Sequence, residues 1–168
     1  MPQKFNYIDF SNSITSMPRK SASLSKDRYI SNEFMELEWE GIWTKTWLFA
    51  GIESDLAEVG DFFVYDIGRE SIVITRNEKM KISAFYNVCQ HRGNKIVTIE
   101  SGSFNRVSCP YHGWTYSLNG KLEHVPDREL FEGGVPCEEH SLKPVRVSIW
   151  AGLIFINMDE KSPSLETF

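Results

Sequence analysis

Cys89-Gln90-His91-Arg92-Gly93 and Cys109-Pro110-Tyr111-His112-Gly113-Trp114 are two short, similar stretches. They hold two of the three cysteines and two of the four histidines, with 17 residues between His91 and Cys109. Each sets a thiol two or three residues from an imidazole, where Gly93, Pro110 and Gly113 favour turns. Two loops can therefore present one Cys and one His each to a shared centre. Two thiolates and two imidazoles complete a closed site. The order, CxH and then CxxH, differs from the CxxC and HxxxH pairs of structural zinc modules. Mixed ligation of this kind matches an iron–sulfur cluster in which two imidazoles replace two thiolates on one iron. Iron–sulfur is favoured, and a structural Cys2His2 zinc module is the remote alternative.

Outward from the two stretches, short β-branched and aromatic runs alternate with turn residues. Asp61 to Ile67, Ser71 to Arg76 and Lys81 to Asn87 read as antiparallel strands. Asn119-Gly120 between Thr115-Tyr116-Ser117 and Lys121-Leu122-Glu123 reads as a hairpin turn, as does Ala151-Gly152 between Val145–Trp150 and Leu153–Asn157. An all-β body results, a small antiparallel sandwich or barrel with a two-loop, metal-binding subdomain over about 87–125. Before it, Ile30, Phe34 and Leu37 with Met35, Trp39, Ile42 and Trp43 recur at three- and four-residue spacing. This spacing predicts an amphipathic helix over about 30–47, with Trp39, Trp43 and Trp47 as core or interface residues. Serine-rich residues 1–26 read as an N-terminal arm and 27–168 as one domain.

Composition narrows the class. A chain of 168 residues, 41 % hydrophobic and 24 % charged, can bury one sizeable core, which disfavours collagen-like and disordered readings. The longest nearly apolar run, Ile149–Ile156, is far below the roughly 20 residues of a membrane-spanning helix. Acidic residues outnumber basic ones by 23 to 18 and no Lys/Arg cluster is present, so nucleic acid is not an expected partner, nor is a membrane. The N-terminus carries no apolar export segment, and the odd cysteine count argues against a disulfide framework. A cytoplasmic location is expected.

Asn87-Val88-Cys89-Gln90-His91-Arg92-Gly93 and Cys109-Pro110-Tyr111-His112-Gly113-Trp114-Thr115-Tyr116 resemble the cluster loops of Rieske non-haem iron oxygenases, in the large subunit of the ring-hydroxylating type. The resemblance extends through Trp47, Gly60-Asp61, Asn119-Gly120-Lys121-Leu122, Val125-Pro126 and Trp150–Phe155, covering roughly residues 27 to 160. It implies a Rieske 2Fe–2S cluster with Cys89 and Cys109 on the buried iron and His91 and His112 on the outer one. Gly93, Pro110, Gly113, Tyr111 and Trp114 would support and shield the loops. Arg92 offsets charge and guides docking on this reading, and is a solvated loop arginine otherwise. Neutral imidazoles in place of thiolates remove negative charge, which favours the reduced state. Within the roughly −150 to +300 mV span of such centres the low end is expected. No cysteine flanks either loop to form the disulfide of the respiratory relatives.

The resemblance also implies a C-terminal catalytic domain that this sequence does not include, with a mononuclear Fe(II) in a 2-His-1-carboxylate triad. The four histidines lie 21, 12 and 16 residues apart, so no pair has the spacing of ligands on one helical face. A ferredoxin or flavin reductase would donate electrons, the catalytic domain of the same or a neighbouring subunit would receive them, and the full-length subunit would form a homotrimer. The carboxylate that, in the family, links one subunit's cluster histidine to the next subunit's iron belongs to the part not included. The chain would be part of a mono- or dioxygenase, without substrate turnover of its own. An aromatic acid or hydrocarbon is the default substrate, and quaternary-amine demethylation is the competing class. A free-standing Rieske ferredoxin is the alternative from another class. His124 and His140 read as surface or rim histidines, and Cys137 as a free or buried thiol.

Overall fold

A computed structural model describes residues 25–126, 128–135 and 137–168. Of the expected N-terminal arm, 1–26, all but the last two residues lie outside this description. The chain divides into two units, Met1–Met35 and Glu36–Phe168. In the first, a single helical turn α1 (Asp27–Ile30) ends at Ser31, whose backbone is extended with ψ 126°. The Ser31 Oγ then accepts the Phe34 N–H at 3.3 Å, and α2 (Asn32–Glu38) begins.

The continuous helix expected over 30–47 is therefore corrected to shorter pieces. Ser31 competes as a cap at its start. At its end the chain widens into a π-helical turn, Trp39–Trp43, where the Thr44 hydroxyl donates back to the Trp39 carbonyl at 3.0 Å. Extended structure resumes at Leu48. Trp39 and Trp47 are buried as expected, whereas Trp43 keeps 37 % of its surface exposed.

In the second unit the strand pairings are all antiparallel, with short helical turns between and beside the strands. Among the described residues ten strands run β1 (Leu48–Ile52), β2 (Asp61–Ile67), β3 (Glu70–Arg76), β4 (Ile82–Tyr86), β5 (Ser101–Ser103), β6 (Val107–Ser108), β7 (Thr115–Tyr116), β8 (Leu122–His124), β9 (Pro144–Trp150) and β10 (Leu153–Asn157). Seven of them form one sheet in the order β1-β10-β9-β4-β3-β2-β5, and β6-β7-β8 form a small second sheet. Both predicted hairpins are present, β7–β8 and β9–β10.

Strand β3 explains how the two sheets become one body. Ile72 and Ile74 face a core built with Leu48, Leu56, Ala84, Val145, Ile154 and Ile156. Val73, on the opposite face by the period-2 rule, joins a second core with Phe62, Phe85, Trp114, Tyr116, Leu122 and both loop cysteines. Neighbouring β4 divides in the same way, Ala84 to the first core and Phe85 to the second. The large sheet thus has an apolar layer on each face, and the second layer is the one that carries the Cys/His loops.

Candidate metal centre

The two loops are built on the same turn. In the first, the Cys89 carbonyl accepts the Gly93 N–H at 2.9 Å, and the Cys89 N–H donates to the Asn94 carbonyl at 2.9 Å. In the second, the Cys109 carbonyl accepts the Gly113 N–H at 3.0 Å, and the Cys109 N–H donates to the Trp114 carbonyl at 2.8 Å. Gly93 and Gly113 both have positive φ, 74° and 71°, a conformation that costs other residues free energy. His91 stands two residues after its cysteine and His112 three.

Each loop is anchored differently. The β6–β7 pairing, Val107↔Tyr116 and Ser108↔Thr115, closes the second loop directly as a hairpin. The first loop is fastened by Asn87, which is fully buried. Its Oδ1 accepts the Ile96 and Val97 N–H groups at 3.1 and 2.8 Å, and its Nδ2 donates to the Val97 carbonyl at 2.8 Å and to Ser71 Oγ at 3.2 Å.

These anchors bring the four chemistry-bearing side chains together. The His91 and His112 rings lie 4.8 Å apart between centroids. Cys89 and Cys109 are only 2 % and 3 % exposed. Both imidazole Nδ1 atoms are buried with no hydrogen-bond partner, and a buried polar atom without a partner is costly unless something binds it. Burial pushes the Cys89 thiol up, while the Tyr116 hydroxyl and the His91 backbone N–H draw it back. Burial, with His112 and then Arg92 and His140 as neighbouring positive charges, holds His91 below the usual imidazole range. A neutral imidazole is the form that ligates metal.

The remaining predicted residues fall around this group. Trp114 is buried and stacks flat on His91, with centroids 4.7 Å apart and planes 8° from parallel. Tyr111 packs on His112 at 3.7 Å but is 59 % exposed. It is thus a lid on one imidazole and not part of the buried shield. Pro110 is exposed at the loop tip. Arg92 is exposed and forms no hydrogen bond or ion pair among the described residues. His124 is exposed on β8, opposite Thr115, and Cys137 is half-buried.

Two residues with a part in the site were not singled out from the sequence, and a third was read only as a surface or rim histidine. Asn87 lay inside the recognised motif without a role. Tyr116 is fully buried, and its hydroxyl lies 3.3 Å from Cys89 Sγ while accepting the Gln90 N–H at 3.2 Å. His140, expected at the surface or rim, is half-buried against Trp114 at 5.5 Å.

Residues 46–140 match the model of the Rieske 2Fe–2S domain. The chain belongs to this family. It is 33 % identical to the glycine betaine monooxygenase oxygenase subunit of Pseudomonas aeruginosa over 88 % of its length and 34 % of that protein's. It is 36 % identical to the biphenyl dioxygenase subunit alpha of Metapseudomonas furukawaii, over 83 % of its length and 32 % of that subunit's. A solved quaternary ammonium Rieske monooxygenase, described for carnitine oxidation and inter-subunit electron transfer, superposes with a TM-score of 0.79 at 37 % identity, over 84 % of this chain and 39 % of that one. The chain spans about a third of the length of the curated relatives it matches.

Proposed function

We propose that Cys89, Cys109, His91 and His112 hold a 2Fe–2S cluster, thiolates on one iron and imidazoles on the other, and that the chain is the electron-relay domain of a Rieske oxygenase large subunit. The observation that carries the ligand assignment is the pair of buried, partnerless Nδ1 atoms on the same two loops as two buried cysteines. Two thiolates and two imidazoles on two turn-built loops match the mixed ligation of a Rieske cluster, whereas structural zinc sites pair CxxC with HxxxH.

A cluster of this kind, when bound, takes up and releases one electron. The chain's own residues hold the His91 imidazole neutral, keep both cysteine sulfurs out of water, and place one hydroxyl beside the Cys89 sulfur. In the proposed enzyme a ferredoxin or flavin reductase supplies the electron. The catalytic domain of the same or a neighbouring subunit, within a homotrimer, would accept it, and a mononuclear iron held there would supply the oxygen chemistry. The solved relative described for inter-subunit electron transfer supports that route. The matched relatives are named for a quaternary amine and for an aromatic hydrocarbon at nearly equal identity. Such a spread is expected if this part of the subunit moves electrons and the remainder selects the substrate. The cytoplasm, where thiols remain reduced, is the compartment this reading implies. Among the described residues no helix is long and apolar enough to cross a membrane.

The test is iron and acid-labile sulfide content of anaerobically purified protein, with the EPR spectrum after dithionite reduction. About two irons and two sulfides per chain and a Rieske-type signal are expected, both lost in Cys89→Ser. Zinc, or a folded chain that takes up no metal, overturns the proposal.

A further inference from the structure

His112 and His91 have unequal surroundings. His112 lies beneath Tyr111, a side chain mostly in water. His91 lies flat against a buried indole, Trp114, which His140 in turn contacts with its ring tilted by 57°. His140 belongs to a different stretch of chain from either loop, and that stretch is fastened. The Ser141 hydroxyl donates to the Cys137 carbonyl at 2.8 Å and accepts the Leu122 N–H at 3.2 Å. The Leu142 N–H donates to the Gly120 carbonyl at 2.7 Å. Both bonds to residues 120 and 122 tie the segment to the β7–β8 hairpin, whose first strand directly follows Trp114.

We propose that His140 is a positioning residue for His91, acting through Trp114. The inference rests on His91 being a cluster ligand. The plane of a ligating imidazole sets its overlap with the metal, and groups beyond the ligands fix that plane. Aromatic rings at these separations attract one another with a preferred geometry. The fastened segment presses His140 on the indole, and the indole keeps the His91 ring from turning. Among the described residues the ring on His112 besides His91 is Tyr111, largely in water and not held by a second fastened ring, so the effect belongs to one ligand of the pair.

Pulsed EPR of the dithionite-reduced protein resolves the nitrogen couplings of the two histidine ligands, and potentiometry gives the midpoint. His140→Ala is expected to change one of the two couplings and to shift the midpoint, with iron and sulfide content unchanged. His140→Phe, which restores a ring without a charge, is expected to return both to the wild-type values. In a Trp114→Phe background, where the smaller ring no longer reaches both neighbours, His140→Ala is expected to add nothing. Wild-type couplings and midpoint in cluster-loaded His140→Ala overturn the proposal. So does a shift of equal size in His140→Phe, which would assign the effect to imidazole charge. Should His140→Ala fail to retain the cluster, His140→Gln, similar in volume but without a ring, is read by the same criteria. A wild-type protein lacking the two nitrogen couplings would sink the ligand assignment itself, an outcome distinct from couplings that are present and indifferent to residue 140.

Discussion

The Tyr116 hydroxyl accepts the Gln90 N–H at 3.2 Å and lies within hydrogen-bond reach of Cys89 Sγ, 3.3 Å away. With Cys89 as a thiolate, only the hydroxyl can donate. A donor aimed at a ligating sulfur stabilises the more negative, reduced state. Tyr116→Phe is therefore expected to lower the midpoint potential while leaving iron content intact. At 59 mV per tenfold for one electron, each kcal/mol of differential stabilisation is worth about 40 mV. Potentiometry on the two proteins checks the sign.

Asn87 predicts a stability effect and not an electronic one. Asn87→Ala removes four hydrogen bonds and strands the buried Ile96 and Val97 N–H groups. A loss of about 3 kcal/mol is expected, because each orphaned buried donor costs about 1–3 kcal/mol. Denaturant unfolding of iron-loaded protein measures it, and a change below 1 kcal/mol would contradict the anchoring role.

The matched glycines allow an internal comparison. Both Gly93 and Gly113 require positive φ, but a Cβ at 93 would meet open space, whereas one at 113 would stand 3.2 Å from Pro126 Cγ. Gly93→Ala is expected to cost about 1–2 kcal/mol, the strain of the left-handed region alone. Gly113→Ala is expected to cost more. Equal effects in thermal melts would show that Pro126 yields freely.

Much of this arrangement is legible in the residue order, for identifiable reasons. β2, β3, β4, β9 and β10 announce themselves through β-branched and aromatic runs, while Ala151-Gly152 marks the β9–β10 turn and Asn119-Gly120 the β7–β8 turn. β5 and β6 do not, because Ser101-Gly102-Ser103 and Val107-Ser108 carry no alternating pattern and owe their strand form to partners elsewhere in the chain. The broken helix escapes notice because apolar spacing continues across Ser31 while the backbone does not. The ligand candidates are legible because their chemistry is local to two motifs. His140 is not, since its contact with Trp114 comes from a segment that only the hairpin bonds bring near.

Removal of the metal has consequences beyond the loops. Cys89 and Cys109 would lose their partner inside a core that also contains Val73 and Phe85, and both buried Nδ1 atoms would lose theirs. A group bound only by the folded state stabilises all of it. Chelated protein is expected to melt on the order of 10 °C below the iron-loaded form, at about 2–4 °C per kcal/mol for a domain of this size. Calorimetry on both forms decides it, and coincident melts would mean that the loops unfold independently of the sheet.

Strand β3, lined with apolar side chains on both sides, has a further meaning for the speed of the proposed relay. Electrons hop quickly where the donor and acceptor states need nearly the same nuclear positions, so that little rearrangement accompanies the change of charge. A loop layer resting on a free-standing ribbon could sag or swing with each gain and loss of an electron. Here the ribbon is stiffened from behind by Ile72 and Ile74, packed into the opposite core. The large sheet and its far core thereby serve the relay at a distance, as the mass against which the imidazoles stay still.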